Sequence, residues 1–239
     1  MQEIEMSIDE LITENSKEDD MKKIHLGLIP DGNRRWCLKN KCDVFNLLNV
    51  LKKLSIDLYE EKEKLGHEKF SDEYNHLSQI GEITVYILSK DNLLKRNDST
   101  LIMIEEGIKM VMNQKKDHVK IQFIGEIELL PENIYKLCKE IEEETKNNSK
   151  ILLSFGIAYD PLLDSKKILT DETKRCLYKQ SDIDLVIRTG NEIRTSGFFP
   201  LKTLYSEFFF LENLFPDTTI SQINNCIGLY NKRKRRFGE

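Results

Sequence analysis

Short apolar runs alternate with longer stretches of helical period along this chain. Residues 24–29, Ile-His-Leu-Gly-Leu-Ile, form a nearly unbroken apolar run that stops at Pro30-Asp31-Gly32-Asn33, which predicts a buried strand ending in a turn. Further strands are predicted over 83–88, 119–125 and 151–157, with a very short one at Leu185-Val186-Ile187. Val44, Leu47, Leu48, Leu51, Leu54 and Leu58 recur at helical spacing and predict a helix over 44–58. Helices are also predicted over 99–113 and over 131–145, the latter with Pro131 near its start, and helical sequence runs on to about Tyr178. Residues 60–81 are charged, contain Gly66 and Gly81, and read as a helix end and a connecting loop. The acidic, lysine-flecked residues 1–23 read as a loosely held arm, leaving 24–239 as one domain.

This alternation predicts a single α/β domain, a mainly parallel sheet flanked by helices. Ligands bind such sheets outside the carboxyl ends of the strands. Polar clusters fall at that edge three times: at Asp31-Gly32-Asn33, from Ser89 to Asn92, and from Arg188 to Glu192.

Composition narrows the class. At 239 residues, with 39% hydrophobic and 32% charged residues, the chain has ample core and a heavily charged surface. A net charge of -5 argues against general nucleic-acid binding. Five dispersed cysteines without CxxC spacing suit a reducing cytoplasm, and four histidines without an HxxxH pattern argue against a histidine metal site. No apolar run reaches membrane-spanning length, and the N-terminus lacks the features of a signal peptide, so a cytoplasmic location is expected.

Asp31 at a strand-to-helix turn is placed to hold a divalent cation, while Arg34 and Arg35 supply fixed charge for phosphate oxygens. The alternative is a plain turn in which Asp31 or Asn33 caps the helix. Arg188 and Arg194, six residues apart around Gly190, suit bidentate phosphate recognition with Ser196 as an added donor; the competing reading is a solvated loop. Glu207 lies inside the apolar run 204–211 and must be paired, metal-bound or turned to water, and beside Asp31 it would make a second magnesium contact. The basic stretch from Lys232 to Gly238 reads as a solvated helix end.

Taken together, these segments resemble the cis-prenyltransferases, the family of undecaprenyl and dehydrodolichyl diphosphate synthases. Residues 25–36 resemble its opening strand and Asp-Gly-Asn-x-Arg-Trp turn. Residues 185–217 resemble its Ile-Arg-Thr-Gly-x-Glu-x-Arg-x-Ser segment, its Tyr-x-Glu-Leu/Phe-x-Phe helix and its Trp/Phe-Pro-Asp end. Weaker similarities cover 86–96, Phe123 to Glu126, and the closing Arg235-Arg236-Phe237-Gly238. The resemblance implies a hydrophobic tunnel beside the sheet, lined from 44–58 and 101–112, a homodimer or heterodimer, and Mg2+-dependent condensation of isopentenyl diphosphate with an allylic diphosphate. It implies Asp31 as the metal-associated catalytic carboxylate and Gly32, Asn33, Arg34 and Arg35 on the allylic diphosphate. Ser89 and Asn92 would stand by the reacting carbons. Arg188, Arg194 and Ser196 would hold isopentenyl diphosphate, with Glu207 on its magnesium and Arg236 and Gly238 reaching a neighbouring subunit. Peripheral membrane contact is compatible with such lipid products.

The chain departs from the family at three places. Residues 43–49 lack the expected Arg and Gly-His pair, Asn-Tyr-Gly-Gly-Arg appears as Ala158-Tyr159-Asp160-Pro161-Leu162, and Leu93 replaces a tryptophan. The leading expectation is therefore a divergent enzyme with a short or atypical product. Irregular coupling of allylic diphosphates, terpene-synthase-like chemistry and a non-catalytic partner subunit stand as alternatives.

Overall fold

A computed structural model describes residues 23–41, 75–95, 98–114, 119–170 and 181–234. Six strands form one sheet in the order β3-β4-β2-β1-β5-β6, and every neighbouring pair is parallel. The strands are β1 (Ile24–Ile29), β2 (Ile80–Ser89), β3 (Val119–Ile124), β4 (Ile151–Tyr159), β5 (Leu185–Arg188) and β6 (Glu207–Phe210). The helices are α1 (Asn33–Asn40), α2 (Lys90–Lys95), α3 (Asp98–Gln114), α4 (Glu132–Thr145), α5 (Pro161–Thr170) and α6 (Ile220–Asn231). The expected single α/β domain with a parallel sheet is thus the observed architecture.

Every residue of β1 is buried, as a central parallel strand covered on both faces requires. On one face Leu26, Leu28, Leu185 and Ile187 pack with Ile223, Cys226, Ile227 and Tyr230 of α6. On the other, Gly27 leaves room for the Phe198 ring; a Cβ there would sit 2.7 Å from Cε1. Phe198 and Phe199 lie on this face with Ile29, Tyr159, Ile183 and Val186. Farther along the sheet, Ile134, Cys138 and Ile141 present one side of α4 to Ile121 and Phe123 of β3. Thr219 starts α6 with a reciprocal capping box to Gln222.

Two element assignments change. β2 begins at Ile80, inside the expected loop 60–81, because Ile80 pairs with Ile24 and Glu82 with His25 across a bulge. The segment expected as a Tyr-x-Glu helix contains the edge strand β6 instead, whose residues pair in parallel with β5 from Leu185 to Arg188. The arm 1–23 apart from Lys23, the helix expected over 44–58 and residues 171–180 lie outside the described residues. Among the described residues no helix is long and apolar enough to cross a membrane.

Candidate active site

The chain leaves β1 for one side of the sheet and returns to add β5 on the other, so the β1/β5 crevice is the topological switch point. Ile29 pairs with Arg188 there, which sets the two polar strand ends side by side. Arg188 is almost completely buried, its side chain 4% exposed, and its Nη2 donates to Asp31 Oδ2 at 2.8 Å. Its Nη1 donates to Ser196 Oγ at 2.8 Å and to the Arg194 carbonyl. Asp31 accepts the Gly32 N–H on Oδ1 at 2.6 Å, and Arg35 Nη2 stands 3.6 Å from the same oxygen.

The backbone around Asp31 is fixed from three sides. Its N–H donates to the Ile29 carbonyl, while its carbonyl accepts from the Phe215 N–H at 3.0 Å and the Thr189 hydroxyl at 2.9 Å. Arg35 reaches across to the Gly190 carbonyl at 2.7 Å and lies 3.8 Å from Glu192. Gly190 needs to be glycine: its φ is +86°, and a Cβ would meet Arg35 Nη2 at 2.7 Å.

The capping alternative fails. Gly32, at φ 101°, is the N-cap of α1 and no side chain caps the helix; Asn33 Nδ2 donates back to the Pro30 carbonyl. The first-turn amides are thus left without a side-chain acceptor, and the turn carries no acidic residue. With Arg34 and Arg35 exposed on that turn, the helix start favours an anion. Asn33 Oδ1 is buried with no partner among the described residues.

Ser89 and Asn92 lie at the carboxyl end of β2, where Ser89 Oγ accepts the Asn92 N–H at 3.2 Å and starts α2. Arg194 is exposed and pairs with Glu192 at 2.5 Å. Glu207 is not brought to Asp31. It pairs with Leu185, at the amino end of β5, so three residues separate its row from that of Arg188, about 10 Å along the sheet. Its carboxylate lies 3.9 Å from Arg233 instead. Arg236 and Gly238, and the departing stretch 43–49, lie outside the described residues.

Among the described residues no group of three His, Cys, Asp or Glu could hold a metal by itself. A single, one-third-exposed Asp31 carboxylate, with the unpaired Asn33 oxygen two residues on, fits a magnesium ion that arrives with substrate phosphates and keeps its waters. It does not fit a closed protein cage.

Sequence reasoning named Thr189 and Gly190 only as part of a polar strand end, and missed the place of Tyr86 and of the Trp36–Asp217 contact in this frame. Trp36 Nε1 donates to Asp217 Oδ1 at 2.7 Å, tying α1 to the Phe215–Asp217 turn. The expected Phe-Pro-Asp end was the available signal for the last of these.

Comparison with known proteins follows the same outline. The prenyltransferase family model that describes undecaprenyl diphosphate synthase matches residues 60–238. The tritrans,polycis-undecaprenyl-diphosphate synthase (GGDP specific) of Sulfolobus acidocaldarius is 32% identical, over 90% of this chain and 87% of its own. An isoprenyl transferase of Fusobacterium nucleatum is 31% identical, over 90% of this chain and 95% of its own. Among solved structures, lavandulyl diphosphate synthase from Lavandula x intermedia, in complex with dimethylallyl diphosphate, superposes with a TM-score of 0.72. That superposition covers 92% of this chain and all of the other, at 22% identity, and speaks for the fold.

Proposed function

The chain belongs to the cis-prenyltransferase family, and from that premise we propose that it condenses isopentenyl diphosphate with an allylic prenyl diphosphate, in a Mg2+-dependent reaction, to give a cis-prenyl diphosphate. The observation that carries the reading is Asp31, held at 2.8 Å by buried Arg188 beside a helix start with no side-chain cap. Uncapped amides and fixed arginines are what a leaving diphosphate requires, since it departs only as its charge is neutralised.

In this reading the allylic C1–O bond breaks as diphosphate leaves, the terminal carbon of isopentenyl diphosphate bonds to C1, and the C2 proton of the isopentenyl unit passes to the released diphosphate as the new double bond forms. Magnesium, when bound, would neutralise phosphate charge at Asp31. Gly32, Asn33, Arg34 and Arg35 take the allylic diphosphate at the start of α1. Arg188, Arg194 and Ser196 take the isopentenyl diphosphate. Arg188 reaches that role by sharing donors now spent on Ser196 and the Arg194 carbonyl. Ser89 and Asn92, at the end of β2, stand toward the reacting carbons.

The apolar chain needs a dry surface. Ile83 and Val85 of β2 and Leu153 and Phe155 of β4 are only partly buried although their strands are central, and Leu101 and Val111 of α3 are partly buried too. Partly buried apolar side chains over central strands support a prenyl-binding groove there.

The test is direct. Purified protein is mixed with Mg2+, labelled isopentenyl diphosphate and allylic diphosphates of several lengths, and products are weighed by mass spectrometry. Products growing in five-carbon steps, lost on chelation and in Asp31→Ala, are expected. Hydrocarbon or alcohol products, or turnover only after mixing with a homologous subunit, would refute it.

A further inference from the structure

Tyr86 is half-buried in central strand β2, and its ring has ordinary core neighbours. It meets Tyr159 edge-on at 6.2 Å and Phe198 at 5.6 Å between centroids. Its hydroxyl does something a core ring does not need. It donates to the Ser196 carbonyl at 3.3 Å, across 110 residues of sequence.

This contact ties β2 to the groups at the β5 end. Ser196 Oγ accepts from Arg188 Nη1 at 2.8 Å, and Arg188 Nη2 reaches Asp31 at 2.8 Å.

Resting on the reading of Arg188, Arg194 and Ser196 as the isopentenyl diphosphate side of the site, we propose that Tyr86 is a positioning residue. Its hydroxyl holds the Ser196 peptide against β2, and with it the Ser196 side chain that meets Arg188.

Ser196 is a residue that needs such holding. It sits at φ +51° and is followed by Gly197 at φ +77°, in a loop where Asn191 and Phe199 also take positive φ. A non-glycine residue in the left-handed region is strained, and surrounding contacts must enforce it. Arg188 grips the Ser196 side chain and Tyr86 its backbone, so neither half of the residue is free to turn. Burial, the largest influence on Tyr86, raises its pKa, so the phenol keeps the proton it donates.

The test is Tyr86→Phe, which preserves the ring contacts and removes only the hydroxyl, studied in the full chain with Ser196→Ala and the double variant. KM for isopentenyl diphosphate is expected to rise about three- to tenfold, the range set by losing one net hydrogen bond. KM for the allylic diphosphate should stay within twofold. The kcat losses of Tyr86→Phe and Ser196→Ala should be non-additive, because both act on one hydrogen-bonded unit.

Amide hydrogen exchange over 194–199, read without substrate, should quicken in Tyr86→Phe. Unchanged exchange in that segment overturns the inference whether or not the chain turns over. Equal rises in both KM values, with a matching fall in thermal stability, overturn it in favour of simple packing. Failure of the wild-type protein to bind isopentenyl diphosphate would instead strike the proposed function, and leave the exchange experiment to decide Tyr86.

Discussion

Removing the carboxylate of Asp31 tests the heart of the site without any substrate. Arg188 is 4% exposed, and among the described residues Asp31 is its only charged partner, at 2.8 Å, beside contacts to the Ser196 hydroxyl and the Arg194 carbonyl. At an effective dielectric constant near 20 the pair attracts by roughly 6 kcal/mol before desolvation is subtracted. Breaking a fully buried pair by deleting one partner costs about 3–5 kcal/mol, because a charge is left in the interior. Asp31 is one-third open to water, which lowers the expectation for Asp31→Ala to about 2–3 kcal/mol. For a chain of this length that corresponds to a fall of roughly 5–10 °C in melting temperature. Urea unfolding of wild type, Asp31→Ala, Arg188→Met and the double variant measures it. The double variant should be about 2 kcal/mol more stable than the sum of the single losses predicts. Additive losses, or an Asp31→Ala cost below about 0.5 kcal/mol, would refute the claim that the ion pair is coupled and shielded from water.

Gly190→Ala forces a Cβ to within 2.7 Å of Arg35 Nη2 at a φ of +86°, so it should cost about 1–3 kcal/mol and displace the Arg35 bridge, seen as lowered stability together with reduced turnover. His25 is buried, with Nε2 2.8 Å from Thr84 Oγ1 and Nδ1 3.0 Å from the Ser181 carbonyl, and burial is the largest cause of its lowered pKa. The unfolded chain therefore binds a proton more readily than the native one. The His25 contribution is complete above the unfolded pKa of about 6.5 and is lost as pH falls below it, toward and through the lower native pKa. Urea midpoints measured from pH 8 to pH 5 should fall on acidification, with a shallower fall in His25→Gln. Thr219→Ala removes one arm of the α6 capping box and should cost about 1 kcal/mol in the same assay, with turnover unaffected.

What the sequence made readable was ends and faces. Ile24–Ile29 and Leu185–Arg188 are buried runs that stop at Asp31 and at Thr189-Gly190, and parallel strands must bring such ends to one edge. The candidate groups on the β1 and β5 ends were legible for that reason, although 157 residues separate Asp31 from Arg188. Neighbourhood was not legible. Periodicity says which side of a strand is buried and says nothing about which strand lies beside it, so the contact of β1 with β5 had to come from the structure. Tyr86 was hidden for a related reason. An aromatic residue in a run of Ile, Thr and Val reads as core, and the ring is core; the chemistry lies in one hydroxyl aimed at a loop that the sequence cannot place.

Glu207 shows the same limit from the other side. A carboxylate inside an apolar run carries a correct warning that the group needs a partner, but the run itself fits either a helix or a short strand. As a helix, with side chains recurring every three or four residues, it leaves the reach of Glu207 toward Asp31 open. As a strand in register with β5, it fixes Glu207 beside Leu185, and Phe210, not Glu207, stands beside Arg188. Three residues of strand rise, about 10 Å, exceed what a glutamate side chain can span. Of the two carboxylates read as magnesium contacts, Asp31 therefore stands at the switch point and Glu207 does not. That is why the ion pair with Arg188, and the Ser196 and Tyr86 contacts behind it, set the geometry on which this site depends.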